Sequence, residues 1–176
     1  MGLRVRDCGT RATVLAGEMI VTLHVATGAL AGAAARSRLA ALLLGPPLHL
    51  LGDVLPHEDI ASRRFETASG VAAVLALAAA YGPLDPVTLG AVSASAPDLE
   101  HILSLPRPGG RPLFPSHRWS RLHHGGKFPA WAQLLIAGAL LVTLCRNARG
   151  AACRRRDDRR CMAQGAGSHL GEGGWG

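Results

Sequence analysis

A short group of ionisable residues, Pro97-Asp98-Leu99-Glu100-His101, follows a long apolar run. Ionisable side chains at the boundary of an apolar segment commonly mark a functional site. If a helix continues past Pro97, Asp98 and His101 stand three residues apart and share a face. A carboxylate and an imidazole placed in this way can hold a divalent metal ion or relay a proton.

A second group of the same residue types follows another apolar run. His49, Asp53 and His57 recur every four residues, which would place them on one helical face. Pro56 disfavours a helical Leu55, so we expect His57 just beyond the helix end. For His49 the sequence is equally consistent with metal ligation and with a hydrogen bond inside a helical bundle. Imidazole and carboxylate donors favour zinc, with manganese and iron as alternatives.

A long segment from Ser104 to Phe128, rich in Pro, Gly, Arg and His, carries His117 and the pair His123-His124. Loops of this length within a compact domain are commonly functional or disordered. Histidines on a mobile loop can be a solvated surface, but beside an acidic cluster they favour a role in the same site.

Charged neighbours of these histidines could take part in catalysis. Arg118 could hold an anionic group such as phosphate through paired N–H donors. Glu100 and Glu58 are the candidates for general acid or base beside a metal, which lowers the pKa of water towards neutrality.

Five apolar segments must position these residues. They cover 19–35, 39–51, 68–81, 87–96 and 129–145. None is a clean span of roughly 20 apolar residues, so short, tilted or partly re-entrant helices are expected. Pro46-Pro47 predicts a kink or break in the second segment. Gly28 and Gly32 in the first have the spacing of small residues that is typical of close helix contact.

Composition favours a membrane protein with an anionic partner. The chain is 48% hydrophobic but only 4% aromatic, and an interior of small aliphatic residues suits helix packing in a bilayer. The rival is a soluble all-α protein, against which the lack of amphipathic charged faces argues. A net charge of +7, carried by arginine since Lys127 is the only lysine, favours lipid headgroups or phosphoesters. No basic groove with interleaved aromatic residues is present, so no nucleic acid partner is expected.

Alternating traverses would bring the ionisable groups to one side of the membrane. His24 lies at the start of the first segment, Asp53 and His57 at the end of the second, and Asp98 and His101 at the end of the fourth. Every histidine except His169 then falls on that side, which predicts a shared polar site. Arginines are divided almost evenly between the two sides, so orientation is not predicted, and neither is the oligomeric state.

Three motifs resemble those of the bacterial predicted membrane-bound metal-dependent hydrolases over residues 19–144. The motifs are His24 with Gly28, then Pro97-Asp98-Leu99-Glu100-His101, then His117-Arg118 followed by His123-His124. The resemblance implies a metal site at His24, Asp98, His101, His117 and His123. The chain differs from the family in Leu23 before His24, in Glu100 where aspartate is commoner, and in a longer spacing from His117 to His123, which makes His124 an alternative ligand.

The sequence therefore predicts an all-α integral membrane bundle of about four to five short helices with a long polar loop, multi-pass in the cell membrane. Residues 1–18 are expected to be a basic N-terminal segment, with Met19 as an alternative start. Residues 19–145 are expected to form the membrane-embedded domain, and 146–176 a disordered Arg/Gly-rich tail.

The predicted function is a metal-dependent hydrolase of a phosphoester or other ester in a lipid or membrane-associated substrate. The predicted metal ligands are His24, Asp53, His57, Asp98, His101, His117 and His123, with Glu100 and Arg118 catalytic. Two alternatives remain: a metal-binding or transport protein without hydrolysis, and a small structural membrane protein whose polar loops recruit partners.

Overall fold

A computed structural model describes residues 20–58, 60, 62–103, 108–119 and 128–168, and within these ranges the chain forms helices and no strand. The helices are α1 (Val21–Ala35), α2 (Arg38–Val54), α3 (Arg63–Tyr81), α4 (Pro86–Ser95), α5 (Leu99–Ile102), α6 (Pro115–Arg118) and α7 (Ala130–Ser168), with a 3₁₀ turn at Pro108–Gly110. The all-α prediction is confirmed. The predicted N-terminal segment, residues 1–18, lies outside the described residues.

Short polar side chains set the starts of α3 and α4. The Ser62 hydroxyl accepts a hydrogen bond from the Phe65 N–H, so α3 begins five residues before the apolar run that predicted it. The Asp85 carboxylate accepts from the Val87 N–H at 2.9 Å, and Pro86 occupies the first turn of α4, where no N–H donor is needed.

Helix α4 is the centre of the bundle, and α1 packs against it backbone to backbone. A Cβ atom added to Gly28 would lie 2.3 Å from the Gly90 carbonyl oxygen, and one added to Gly32 would lie 2.0 Å from the Pro86 carbonyl oxygen. These contacts make the two helices antiparallel, with the start of α1 beside the end of α4. The predicted close contact through Gly28 and Gly32 is confirmed.

Helix α2 runs unbroken through Pro46-Pro47 to Val54, so the expected break is not observed. Pro46 has no N–H to offer the carbonyl of Leu42, four residues earlier. Ser93 on α4 supplies the missing donor, since its hydroxyl donates to the Leu42 oxygen at 2.6 Å. Gly45 makes room for this contact, because a Cβ added there would lie 2.3 Å from the Ser93 Oγ. Neighbouring Ser and Thr residues satisfy proline-containing membrane helices in the same way.

The Ser93→Ala variant is expected to lower the free energy of unfolding by about 1 kcal/mol, because the Leu42 carbonyl loses its donor. Pro46→Ala returns a backbone N–H to that carbonyl. We therefore expect Ser93→Ala to destabilise the Pro46→Ala protein less than it destabilises the wild type. Denaturant unfolding of the four proteins in detergent measures the coupling. Strictly additive effects would show that Ser93 does not compensate for Pro46.

Large apolar side chains lie on the outside of the bundle, and ionisable side chains are buried at one end of its otherwise apolar core. Leu43, Leu75 and Trp131 are 65%, 63% and 65% exposed, whereas His49 and Asp53 are completely buried. Among the described residues, one helix is long and apolar enough to span a bilayer: α7, over the segment Ala130–Arg159.

Helix α7 continues to Ser168, whereas the sequence analysis expected disorder from residue 146 onward. Residues 146–168 are rich in Ala and Arg, which have high helix propensity and offset Gly150, Gly165 and Gly167. Ala137 and Leu144 in the first half of α7 pack into the core of the bundle, whereas residues 152–159 in its second half are exposed. Residues 169–176 lie outside the described part of the chain.

Candidate metal centre

Five side chains converge at one end of the bundle. They are His24 near the start of α1, His49 and Asp53 near the end of α2, Asp98 directly before α5, and His117 in α6. We call these residues the His/Asp cluster. His24, His49 and Asp53 are completely buried, and Asp98 is 3% exposed. The structure thus brings His24, Asp53, Asp98 and His117 to one end of the bundle, and their gathering on one side of a membrane stays a prediction.

The donor atoms of the His/Asp cluster are spaced as ligands around a single ion would be. His24 Nε2 lies 3.1 Å from Asp53 Oδ1, and His49 Nε2 lies 3.1 Å from Asp53 Oδ2. Asp98 Oδ1 lies 3.5 Å from His49 Nε2 and 3.9 Å from His117 Nε2. Ligands bound at roughly 2.0–2.2 Å to a tetrahedral ion are about 3.3–3.6 Å apart. The residues present therefore fit a divalent metal ion.

Two groups of three donors overlap at His49. One group is His24, His49 and Asp98, and the other is His49, Asp53 and His117; in each, the ligand atoms lie within 4.8 Å of one another. The rings of His24 and His49 are stacked with centroids 4.0 Å apart. Since both groups need the same histidine, they describe one site and not two.

Hydrogen bonds behind the rings turn the Nε2 atoms of two histidines towards the carboxylates. His49 Nδ1 lies 2.8 Å from the Ala94 carbonyl oxygen, which can only accept, so this nitrogen carries a proton. With one proton already on Nδ1, His49 Nε2 either presents a lone pair, as in the neutral imidazole, or carries the second proton of the imidazolium. It faces Asp53 Oδ2, and His117 Nε2 lies 3.4 Å away. Acceptors that face one another in this way need a metal cation or a proton between them.

Glu100 lies behind His117 and not within the His/Asp cluster. One carboxylate oxygen bonds His117 Nδ1, the nitrogen that faces away from Asp53, and the other accepts the Leu113 N–H at 2.7 Å. Burial raises the pKa of the Glu100 carboxyl, but these hydrogen bonds outweigh it and hold the pKa below its ordinary value. Carboxylates commonly orient metal-binding histidines in this way.

The remaining predicted site residues are not among the converging donors that the structure describes. His57 is buried, and its Nδ1–H donates to the Leu55 carbonyl oxygen at 2.5 Å. Arg118 follows His117 directly and is exposed. The side chain of His101, and His123 and His124 altogether, lie outside the described residues.

His49 is the site residue that the sequence analysis left open. Its signal was the spacing of four residues to Asp53, but Pro46-Pro47 one turn earlier made a continuous helix uncertain. The Ser93 hydrogen bond keeps α2 helical, and with it His49 and Asp53 face the same point.

Comparison of the chain with protein-family models, with curated proteins and with solved structures returned no match. The resemblance to membrane-bound hydrolases therefore rests on the sequence motifs alone, and the function has to be argued from the site.

Proposed function

We propose that the protein is a membrane-bound metal-dependent hydrolase that acts on a phosphoester or other ester in a lipid or membrane-associated substrate. The observation that carries the proposal is the convergence of imidazole and carboxylate acceptors from separate helices on one buried point. The ligands would come from the His/Asp cluster, with zinc expected and manganese or iron as alternatives.

The His/Asp cluster has the parts that hydrolysis requires. A divalent metal supplies Lewis acidity and lowers the pKa of water towards 7. Five donors exceed the three protein ligands of a catalytic tetrahedral site, whose fourth position would take water, so Asp53 or Asp98 would be left to accept a proton. Glu100 would hold His117 in the tautomer whose Nε2 faces the site. Arg118, exposed beside His117, could bind an anionic ester group.

The exposed leucines of the bundle are our reason for proposing a multi-pass arrangement in the cell membrane. Exposed leucines follow the outer faces of α2 and α3 as well as α7, among them Leu39, Leu43, Leu75 and Leu135. Lipid is the environment in which such surfaces are stable, and the buried acids and histidines then face the bundle interior, as ionisable groups in membranes usually do.

Metal binding or transport without hydrolysis is the second candidate. It is favoured by the burial of the His/Asp cluster, because His24, His49 and Asp53 have no exposed surface through which a substrate could reach them. The metal content of cells that overproduce the protein separates the two candidates. A transporter changes the total metal content of the cell, whereas a hydrolase adds only the metal ion that each protein molecule binds.

The test of hydrolysis uses full-length protein in detergent, stripped with a chelator and resupplied with zinc, manganese or iron. Phosphomonoester, phosphodiester and carboxylic ester chromogenic substrates are then compared. We expect metal-dependent turnover of one class that Asp98→Ala abolishes and that Asp158→Ala, which removes an exposed acid on α7, leaves unchanged. Metal binding with no turnover of any class would contradict hydrolysis and favour the second candidate.

Glu100→Gln is expected to weaken metal binding about 10- to 100-fold, the usual effect of removing a carboxylate behind a ligating histidine. Glutamine can still accept the Leu113 N–H but no longer places a negative charge on His117. Competition with a chromogenic chelator measures the affinity, with Asp158→Asn as the control for loss of one negative charge. If Glu100→Gln binds metal as tightly as Asp158→Asn does, Glu100 does not position His117.

A further inference from the structure

A basic cleft of about 360 Å³ lies where the end of α3 meets the second half of α7. Arg155, Arg156 and Arg159 line one wall, and Tyr81 and Asp85 lie on the other. Alanine residues of both helices form the floor, which leaves room between the charged side chains.

The cleft and the His/Asp cluster lie at opposite ends of the bundle. Asp85 directly precedes α4 and borders the cleft, whereas Asp98 follows α4 and belongs to the cluster. A ligand in the cleft is therefore distinct from a substrate of the cluster, and the inference does not depend on hydrolysis.

The cleft is positive despite its one acid. The Asp85 carboxylate already accepts the Val87 N–H at the start of α4, so part of its charge is engaged. Three arginines remain against it, and all three are exposed. Guanidinium groups bind phosphate through two parallel N–H donors, which favours a phosphate-bearing ligand over a simple anion.

If α7 spans a membrane as proposed above, the cleft lies at the level of the lipid headgroups. The Tyr81 hydroxyl donates to the Leu144 carbonyl oxygen at 2.6 Å, close to the point where the apolar half of α7 gives way to arginines. Tyrosine is enriched at the membrane–water interface, and long arginine side chains reach back towards it.

We propose that this cleft binds the phosphate of an anionic lipid headgroup. Basic residues that follow a membrane helix directly are attracted to anionic lipid, each by about a factor of five in affinity. The alanine floor and the tyrosine beside Leu144 give the cleft a defined shape, which general electrostatic attraction does not require.

Full-length protein in zwitterionic detergent tests the proposal through its thermal unfolding midpoint, titrated with phosphatidylglycerol, phosphatidylcholine or inorganic phosphate. We expect phosphatidylglycerol alone to raise the midpoint saturably. The triple variant Arg155→Gln, Arg156→Gln, Arg159→Gln should have a half-saturating concentration at least about tenfold higher than that of its matched control, because both lose the general attraction but only this variant loses charge-assisted hydrogen bonds to the phosphate. The matched control is Arg146→Gln, Arg149→Gln, Arg154→Gln, which removes the same charge from arginines of α7 that do not line the cleft.

Equal weakening in the two triple variants would show general electrostatic attraction and overturn the site. A saturable midpoint shift with inorganic phosphate as large as that with phosphatidylglycerol would overturn the lipid assignment in favour of a free phosphate. An unchanged midpoint of both variants in phosphatidylcholine verifies that they are folded, which is expected because the substituted side chains are exposed.

Discussion

Replacing His49 by glutamine is expected to lower the affinity for divalent metal by at least about 100-fold, the upper end of what removing a group behind a ligand costs. His49 belongs to both groups of three donors, so neither group is complete without it. Its Nδ1–H bond to Ala94 fixes the ring, and glutamine cannot place an equivalent acceptor beside Asp53 and Asp98. Isothermal titration of the metal-free protein with zinc measures the loss.

His57→Gln is the matched comparison, because His57 is also a buried histidine at the same end of the bundle. The sequence predicts His57 as a ligand, whereas its described contact is with the Leu55 carbonyl. We expect His57→Gln to bind zinc more tightly than His49→Gln by at least about tenfold. The opposite order would mean that the metal lies towards His57 and that His49 serves only as a hydrogen-bonding residue in the bundle.

Gly28→Leu is expected to lower the free energy of unfolding by at least about 3 kcal/mol, at or beyond the usual upper limit for overpacking. A Cβ atom at this position would lie 2.3 Å from the Gly90 carbonyl oxygen and 2.5 Å from the Ala94 Cβ. Backbone cannot move aside as a flexible side chain can, so α1 and α4 must separate. Denaturant unfolding in detergent, followed by circular dichroism, measures the change.

Gly138→Leu is the control on α7, since nothing lies within 4 Å of a Cβ added there. It should be neutral or raise stability by up to about 1 kcal/mol, because leucine has higher helix propensity than glycine. Gly28→Leu should in addition weaken metal binding, because His24 lies one turn before Gly28 and Asp98 follows α4. A Gly28→Leu protein as stable as Gly138→Leu would show that α1 and α4 do not pack through their glycines.

Much of the architecture could be predicted from local chemistry. Hydrophobic runs between polar breaks located α1 to α4 and the start of α7, and the glycine spacing in α1 predicted a close helix contact, whose partner, α4, only the structure shows. The length of α7 could not be predicted in this way. An arginine-rich stretch is typical of a disordered tail, although alanine and arginine also favour a helix. The continuity of α2 could not be predicted either, since the donor that replaces the missing N–H comes from Ser93 on another helix.

The sequence predicts a site built from histidine and aspartate side chains, but only some of the residues that it names are among the converging donors. Alternating helix directions bring His24, Asp53, Asp98 and His117 to one end of the bundle, and that inference needs only the order of the helices along the chain. Which of two neighbouring ionisable side chains faces the site depends on tertiary contacts, which the sequence pattern does not specify. Glu100 lies two residues from Asp98 and therefore points elsewhere, to the far nitrogen of His117.

Elemental analysis of the purified full-length protein tests the central claim most directly. The overlap of the two donor groups at His49 predicts about one divalent ion per chain, because His49 Nε2 is the single acceptor nitrogen of that ring. The ion should be retained through gel filtration and lost in an Asp53→Ala, His49→Gln double variant that still elutes as a folded protein. A wild-type protein that holds no metal after growth with zinc, manganese and iron, or a double variant that holds as much as the wild type, would contradict the claim.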